Sequence, residues 1–250
     1  MNNKVALIIQ ARATSERLPR KIFADLAGKT VLEHVLIAMK SCKLPDEIYV
    51  ATTINEEDDQ IAHIAEKYNI ICVRGDEMDV LSRFEMVSKI SDANVFVRIT
   101  ADDPLLDPNV TDIVIADYLK GGCDYVSNIV ERSWPRGLDT EVFSRTALET
   151  TLKDADLKDY REHVTLYIRA NPDKFSIRNV SSPPEEYMPS LRLCIDTNED
   201  YELLKVIFGH LYKEGEIIRI GEVIKFLEDN PKYLEINNTI EQKKTLGKVY

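Results

Sequence analysis

A short apolar run near the start of the chain leads directly into a cluster of positive charge. Residues 5–9 (VALII) lack the polar alternation of a half-exposed strand, which predicts a strand buried on both faces. The loop that follows holds one anion, Glu16, and four cations, namely Arg12, Arg17, Arg20 and Lys21. Open α/β sheets bind ligands at the carboxyl ends of their strands. The pattern therefore predicts an anion site at the end of the first strand.

Phosphate is the anion that suits this loop, because the forked guanidinium of arginine matches phosphate oxygens. The loop carries neither GxxxxGK[ST] nor GxGxxG, so side chains would do much of the phosphate binding. A solvated basic loop is the alternative. The position straight after a buried strand and the rigidity of Pro19 beside Lys21 favour the phosphate site.

Composition limits the class of protein. The 250 residues carry a net charge of −11, with 44% hydrophobic and 30% charged residues, which is typical of one large α/β domain, with or without a subdomain. No apolar run approaches the ~20 residues of a membrane helix, and no secretory signal opens the chain. The four cysteines are scattered without a CxxC pair, which indicates reduced thiols. We expect a cytoplasmic protein that binds neither membranes nor nucleic acid, since nucleic-acid binding needs a basic face.

The first half of the chain alternates strands and helices. Predicted strands cover residues 5–10, 47–52, 70–74 and 94–100, and predicted helices cover 31–41, 55–68 and 80–90. Thr30 with Glu33 has capping-box spacing, Asn55 is expected to cap a helix with an acidic first turn, and Asp107 with Pro108 is a typical helix start. This order predicts a doubly wound, mostly parallel α/β sheet of the Rossmann-like type.

The regular alternation of predicted strands and helices ends after Tyr125. Strand candidates cover 123–128, 141–143 and 175–180, and helices are predicted over 145–152 and 160–171. A strand at 191–195 and helices at 199–212, capped by Thr197, and 221–229 return to the α/β pattern. We interpret 127–189 as an inserted subdomain within a single domain, covering one mouth of the sheet. Residues 233–250 are predicted to form a polar tail without a core pattern.

Carboxylates end two of the predicted strands. Asp102 follows the strand at 94–100 in the block RITADDPLLDP, and Asp196 follows the strand at 191–195. Carboxylates beside a polyphosphate are how proteins usually hold Mg²⁺, which favours a metal role for Asp102. Asp107 is better explained as a helix cap before Pro108, and Asp196 taken alone would be a cap as well.

Together these blocks resemble the cytidylyltransferases that make CMP-activated sugars. From residue 5 to about 212, IIQARATSERLPRK, VRGDEMDVLSR, RITADDPLLDP, PRGLDTEVF, REHVT and LRLCIDTNED match, in order, motifs of the branch linked to spore-coat polysaccharide biosynthesis. The chain departs from that pattern at Arg20 and Ala101, where glycine is usual, and at Asp103, where cysteine or glutamate is usual. The resemblance implies a fold of the nucleotide-diphospho-sugar transferase type and transfer of CMP from CTP to an acceptor, with release of pyrophosphate.

The resemblance also implies roles for individual residues. Asp102 and Asp196 fall on two Mg²⁺-binding carboxylates, and the catalytic cations would be Arg12, Arg17 and Lys21. The implied nucleotide-binding set is Ala11, Arg12, Ser15, Arg17, Lys21, Arg74, Asp79, Arg83, Thr100 and Asp102.

The acceptor stays open, as a sugar acid, a sugar or polyol phosphate, or another small anion. Candidate acceptor-binding residues are Asn128, Trp134, Arg136, Asp139, Glu141, Arg161 and His163. Arg136 and Arg161 indicate an anionic acceptor or a bridge to a second subunit, and relatives commonly dimerise here, so we expect a homodimer. His163 either contacts the acceptor or packs a helix. A glycosyltransferase-like nucleotide-sugar binder and a non-catalytic regulatory module are the other two functions to weigh.

Overall fold

The computed structural model describes residues 3–241. The strands are β1 (Val5–Gln10), β2 (Asp25–Leu26), β3 (Lys29–Thr30), β4 (Glu47–Thr53), β5 (Ile71–Gly75), β6 (Val95–Thr100), β7 (Tyr125–Ser127), β8 (Glu141–Ser144) and β9 (Ile177–Asn179). The helices are α1 (Val31–Lys40), α2 (Asp59–Lys67), α3 (Val80–Ile90), α4 (Pro108–Leu119), α5 (Arg145–Asp154), α6 (Lys158–Glu162), α7 (Leu166–Ala170), α8 (Asn198–Leu211) and α9 (Ile220–Asp229). None of these helices is long and apolar enough to cross a bilayer.

One sheet dominates the fold, with strand order β5-β4-β1-β6-β8-β7-β9. β8 runs antiparallel to its neighbours β6 and β7, and the other pairings of the sheet are parallel. Gln10 at the end of β1 lies opposite Ala51 of β4 and Thr100 of β6, so three strands end at the same edge. The predicted mostly parallel α/β architecture is confirmed.

The predicted burial of the first strand on both faces is also confirmed. Leu7 and Ile9 pack in one apolar cluster with residues of α1, α2 and α4. Ala6 and Ile8, on the opposite face of β1, pack with residues of α3 and α5. A third cluster joins α8 and α9 to Trp134, beyond the central sheet. The strand that leads into the cationic loop is therefore fixed from both sides.

Three predicted helix starts are present. Thr30 and Glu33 form a reciprocal capping box on α1, Asp107 caps α4 ahead of Pro108, and Thr197 caps α8. The prediction for Asn55 was wrong in detail. Its side chain donates to Oε2 of Glu77 at 2.7 Å instead of capping, and a 3₁₀ turn precedes α2.

The strand predicted at 191–195 was wrong. Within the described residues this segment makes only an isolated bridge, between Arg136 and Arg192. The backbone N–H of Ile195 donates to the carbonyl of Asp102 at 3.0 Å, so hydrogen bonds to the strand end of β6 and to residue 136 hold the segment extended. The apolar alternation of LRLCI reflects burial beside α8, without a partner strand.

Two further predictions need correction. The helix predicted over 160–171 is divided into α6 and α7, because the backbone of His163 leaves the helical conformation, with φ of −105° and ψ of 72°. The tail does carry core residues, since Tyr233, Leu234 and Ile236 pack against the third cluster; residues 242–250 lie outside the described range. The segment 127–189 supplies β8 and β9 to the main sheet and so is continuous with it.

Candidate active site

The carboxyl ends of β1 and β6 open into a cavity of about 1210 Å³. Its walls come from the loop after β1, the start of α3, the end of β6 and three segments from the second half of the chain. The predicted site residues that line it are Ala11, Arg12, Ser15, Arg17, Lys21, Arg83, Thr100, Asp102, Arg136, Asp139, His163 and Asp196. Residues far apart in sequence therefore meet in one place, at the sheet edge where α/β folds bind ligands.

Lys21 joins the cationic loop to both predicted metal carboxylates. Its Nζ donates to Oδ2 of Asp102 at 2.5 Å, to Oδ1 of Asp196 at 2.8 Å and to the carbonyl of Ile195 at 2.7 Å. Although burial opposes the charged form, the two carboxylates raise the pKa of Lys21 above its ordinary value. The two acids were expected to need a cation between them, and the ammonium of Lys21 already occupies that position.

Asp196 is the most heavily compensated acid of the site. Besides Lys21, Arg17 approaches its Oδ2 at 3.0 Å, and Arg192 donates to the same oxygen at 2.5 Å. Arg192 is itself held by Asp200, whose Oδ1 accepts from Nε at 2.8 Å. Burial raises the pKa of Asp196, but the three cations outweigh burial and hold it at about 2. The carboxylate is therefore ionised at every physiological pH.

The loop after β1 is anchored by protein carboxylates. The N–H of Ala13 donates to Asp58 at 2.7 Å, and the hydroxyl of Thr14 donates to Glu77 at 2.5 Å. Arg20 adopts a left-handed backbone with φ of 58° and donates its N–H to the carbonyl of Ala13. Glycine adopts that conformation without steric cost, which explains why glycine is usual at this position.

Arg83 is a buried cation in the cavity wall. The residue is 1% exposed, and its Nη1 donates to the carbonyl of Ala51 at the end of β4. Burial, followed by the nearby charge of Arg12, lowers the pKa of Arg83 to about 10. Gly75 leaves room for this side chain, since a Cβ there would lie 2.9 Å from Cγ of Arg83.

Two residues of the predicted nucleotide set lie outside the cavity lining. Arg74 donates to the carbonyl of Thr53 at 2.8 Å and pairs with Asp59 on α2. Asp79 caps α3 and pairs with Arg161, which links α3 to α6. These contacts give both side chains a role in holding the walls.

The predicted acceptor residues divide in the same way. Arg136, Asp139 and His163 line the cavity. Arg161 is engaged by Asp79, as described above. Asn128 is buried and donates to the carbonyl of Leu138, while the indole of Trp134, 1% exposed, donates to Glu186.

Glu141 is the remaining predicted acceptor residue, and it lies buried behind the wall. It accepts hydrogen bonds from Arg98, Tyr125 and Thr165. Burial raises the pKa of Glu141, but Arg98 and Arg169 outweigh it and hold the pKa below its ordinary value. An ionised buried acid with this many donors positions Arg98.

Sequence reasoning missed several residues that line the cavity, among them Arg98 and Asp103. Arg98 projects from β6 and donates through Nε to Gln10 at 3.0 Å. Asp103 accepts from the hydroxyl of Thr100 at 2.5 Å, and burial, followed by Asp102 and Asp139, raises its pKa well above the ordinary value. Both lie in the block RITADDPLLDP. Successive side chains of a strand point to opposite faces, and this strand ends at the ligand-binding edge, so that pattern was the available signal for both residues.

Comparisons of the sequence and the structure with known proteins point to the same family. The sequence profile described as "Cytidylyltransferase" matches residues 6–238. An uncharacterised protein of Methanocaldococcus jannaschii is 38% identical over 244 residues, covering 96% of this chain and 97% of its own. The spore coat polysaccharide biosynthesis protein SpsF of Bacillus subtilis is 33% identical over 236 residues, covering 92% and 96%.

A solved structure supports the same relationship. A cytidylyltransferase from Leptospira borgpetersenii matches with a TM-score of 0.89 at 30% identity, covering 96% of this chain and 100% of that chain. The profile match spans the cationic loop, Asp102 and Asp196, which are the residues that meet in the cavity. The chain therefore belongs to the cytidylyltransferase family.

Proposed function

We propose that this chain transfers CMP from CTP to a small anionic acceptor and releases pyrophosphate. The observation that carries the proposal is the contact of Lys21 with both Asp102 and Asp196, which unites the phosphate-binding loop and the acidic pair. Family membership supports CTP as the nucleotide. A nucleotide-sugar binder of the glycosyltransferase type would share the strand-end aspartates but rarely this cationic loop.

Three cations would meet the β- and γ-phosphates. Arg12 pairs with Glu162 at 3.3 Å, and Arg17 and Lys21 pair with Asp196. Triphosphate binding would exchange these carboxylate partners for phosphate oxygens. As the bond to the leaving group breaks, negative charge grows on pyrophosphate, and donors fixed in advance stabilise it most. The chain's work is positioning and charge stabilisation.

Asp102 and Asp196 also fit a magnesium ion. Both carry hard oxygen ligands, and both reach a single ammonium. Among the described residues no group of three or more His, Cys, Asp or Glu is placed to hold a metal. With the two carboxylates as protein ligands, phosphate oxygens and water would complete the shell. Magnesium commonly takes one or two carboxylates together with substrate phosphates. When bound, Mg²⁺ would polarise the α-phosphate.

Arg136 supports an anionic acceptor. Its backbone is fixed, since its N–H donates to Leu191 at 2.9 Å and its carbonyl accepts from Leu193 at 2.8 Å. Its guanidinium makes no hydrogen bond or ion pair with another described residue. The neighbouring acid, Asp139, is already engaged by a two-pronged contact from Arg132 at 2.7 and 2.9 Å. An arginine left free in a polar cavity suits an anionic group of the acceptor.

The similarity to SpsF supports a role in cell-surface polysaccharide biosynthesis, and this role is part of the proposal. We place the reaction in the cytoplasm. A homodimer formed through residues 127–189 is part of the proposal. Leu157 and Tyr187, 50% and 63% exposed, supply apolar surface in that segment.

Pyrophosphate release tests the proposal. The full chain is incubated with CTP, UTP, ATP or GTP and with 3-deoxyoctulosonate, sialic acid or glycerol 3-phosphate. We expect release from CTP with at least one acceptor, and loss of that release in excess EDTA. Sugar transfer from a nucleotide sugar without pyrophosphate release would favour the glycosyltransferase-like alternative. Nucleotide binding without any turnover would favour a regulatory module.

A further inference from the structure

His163 is one of the residues that line the cavity. No hydrogen bond, ion pair or ring contact joins its imidazole to another residue of the described range. Two other histidines have partners, since Nε2 of His34 bonds the carbonyl of Leu26 and Nδ1 of His210 bonds that of Val206. Polar groups shielded from solvent are normally hydrogen-bonded, so an imidazole without a protein partner in a binding cavity is available to a ligand.

His163 lines the same cavity as the cationic loop and Asp102. Glu162, the preceding residue, pairs with Arg12 of the loop at 3.3 Å. The charge of Arg98, on β6 four residues before Asp102, helps to lower the pKa of His163. His163 also lies in the non-helical segment between the end of α6 and the start of α7.

We propose that His163 is the general base that takes the proton from an acceptor hydroxyl as that oxygen attacks the α-phosphorus of CTP. This inference rests on the proposed function. The O–H bond breaks and its proton passes to a free ring nitrogen, while the oxygen forms its bond to phosphorus. The bond from the α-phosphorus to the bridging oxygen breaks, and pyrophosphate leaves with that electron pair. The imidazolium then returns its proton to water.

The inference narrows the class of acceptor. A hydroxyl nucleophile needs a base near neutral pH, and general base catalysis contributes typically 10²- to 10⁴-fold. A phosphate nucleophile is already largely ionised at pH 7, because its second pKa is about 6. A free imidazole therefore points to an acceptor that attacks through a hydroxyl and carries its anionic group elsewhere, beside Arg136.

The charges around His163 suit a base. Burial lowers the pKa of His163, and Arg98 from β6 and Arg169 from α7 lower it further. Glu162 and Asp159, both on α6, oppose that shift. The ring is therefore neutral at pH 7 and able to accept a proton. Activity should fall as the pH drops through this lowered pKa, because the protonated ring accepts nothing.

The test compares His163→Gln with His210→Gln, a matched change at an exposed histidine outside the cavity. Pyrophosphate release from CTP is measured against pH, with 3-deoxyoctulosonate as a hydroxyl acceptor and glycerol 3-phosphate as a phosphate acceptor. We expect His163→Gln to lower kcat about 10²-fold or more and to abolish the acid limb of the profile. CTP affinity by calorimetry should stay unchanged, and His210→Gln should match the wild type.

Two results would overturn the inference while leaving the proposed function intact. One is a wild-type kcat and acid limb in His163→Gln, and the other is turnover with glycerol 3-phosphate alone. The wild-type chain gives an independent readout, since the ring resonance missing from the His163→Gln spectrum should titrate below the ordinary histidine pKa. A ring still protonated at pH 7 would refute a base role without any variant assay. Absence of pyrophosphate release by the wild type with every nucleotide and acceptor would refute both proposals.

Discussion

Replacing Lys21 with methionine tests whether one ammonium holds the two acids together. The Lys21 side chain is 11% exposed and bridges Asp102, Asp196 and the carbonyl of Ile195. Methionine keeps the apolar stem but leaves two carboxylates facing each other without the cation. This bridge predicts that Lys21→Met loses both stability and turnover.

The size of the stability loss follows from Asp196. Burial opposes its ionisation, but Lys21, Arg17 and Arg192 lower its pKa from 3.8 to about 2. At 1.36 kcal/mol per pKa unit, that shift is about 2.4 kcal/mol of stability shared among three cations. Asp102 loses its partner too, so Lys21→Met should lower the free energy of unfolding by about 2 kcal/mol at pH 7. Because the folded pKa is depressed, this stabilisation is present above pH 3.8 and disappears as the pH falls toward 2.

Urea unfolding followed by circular dichroism measures the effect at pH 7 and at pH 3. The control is Lys29→Met, which removes an ion pair to Glu214, whose side chain is 76% exposed, and should cost much less stability because exposed ion pairs contribute little. Turnover of CTP by Lys21→Met should drop about 10²-fold or more, since a donor aimed at developing charge is lost. A Lys21→Met protein as stable at pH 7 as the Lys29→Met control would refute the bridging role.

The remaining predictions concern the acids, the acceptor and the backbone. Asp102→Asn and Asp196→Asn should each nearly abolish pyrophosphate release, and the double variant should be little worse, because members of one unit are not additive; an additive double variant would contradict this. Arg136→Ala should bind CTP normally in calorimetry while losing turnover, and a large fall in CTP affinity would remove it from the acceptor role. Gly137→Ala should lose about 2 kcal/mol or more in urea unfolding, because φ is 105° and a Cβ would lie 2.8 Å from a carbonyl carbon of the facing segment. Gly209→Ala, in open space on α8, should instead gain up to about 1 kcal/mol.

Local chemistry made much of the fold predictable. Residues 5–10 were predictable as a strand buried on both faces because a short, uninterrupted apolar run is typical of such strands, and the structure places them at the centre of the sheet. Helix starts at Thr30, Asp107 and Thr197 were predictable because a cap depends on neighbours two or three residues away. Pairing is different. The segment 191–195 has the pattern of a strand, but whether a neighbouring strand exists is decided by the tertiary fold.

In the site, too, local features were predictable from the sequence and tertiary contacts were not. The cationic loop and Asp102 were found from the sequence because each follows an apolar segment, whereas Asp196 was assigned to the site only through the resemblance to the cytidylyltransferases. Their direct contact through Lys21 joins residues 81 and 175 positions apart, and no local pattern encodes it. Arg74 and Arg161 carry the right charge for ligand binding, yet each is engaged by a carboxylate at 2.7 and 2.5 Å. The sequence indicates the charge of a side chain, whereas tertiary packing decides whether that charge meets a ligand or another residue of the protein.

A crystal structure with CTP and Mn²⁺, which can take the place of Mg²⁺, tests the metal and triphosphate assignments together. We expect an anomalous manganese peak between Asp102 and Asp196. We also expect a triphosphate contacted by Arg12, Arg17 and Lys21, with those side chains released from their carboxylate partners. Nucleotide bound elsewhere, or manganese absent from the two aspartates while the triphosphate is in place, would contradict these assignments.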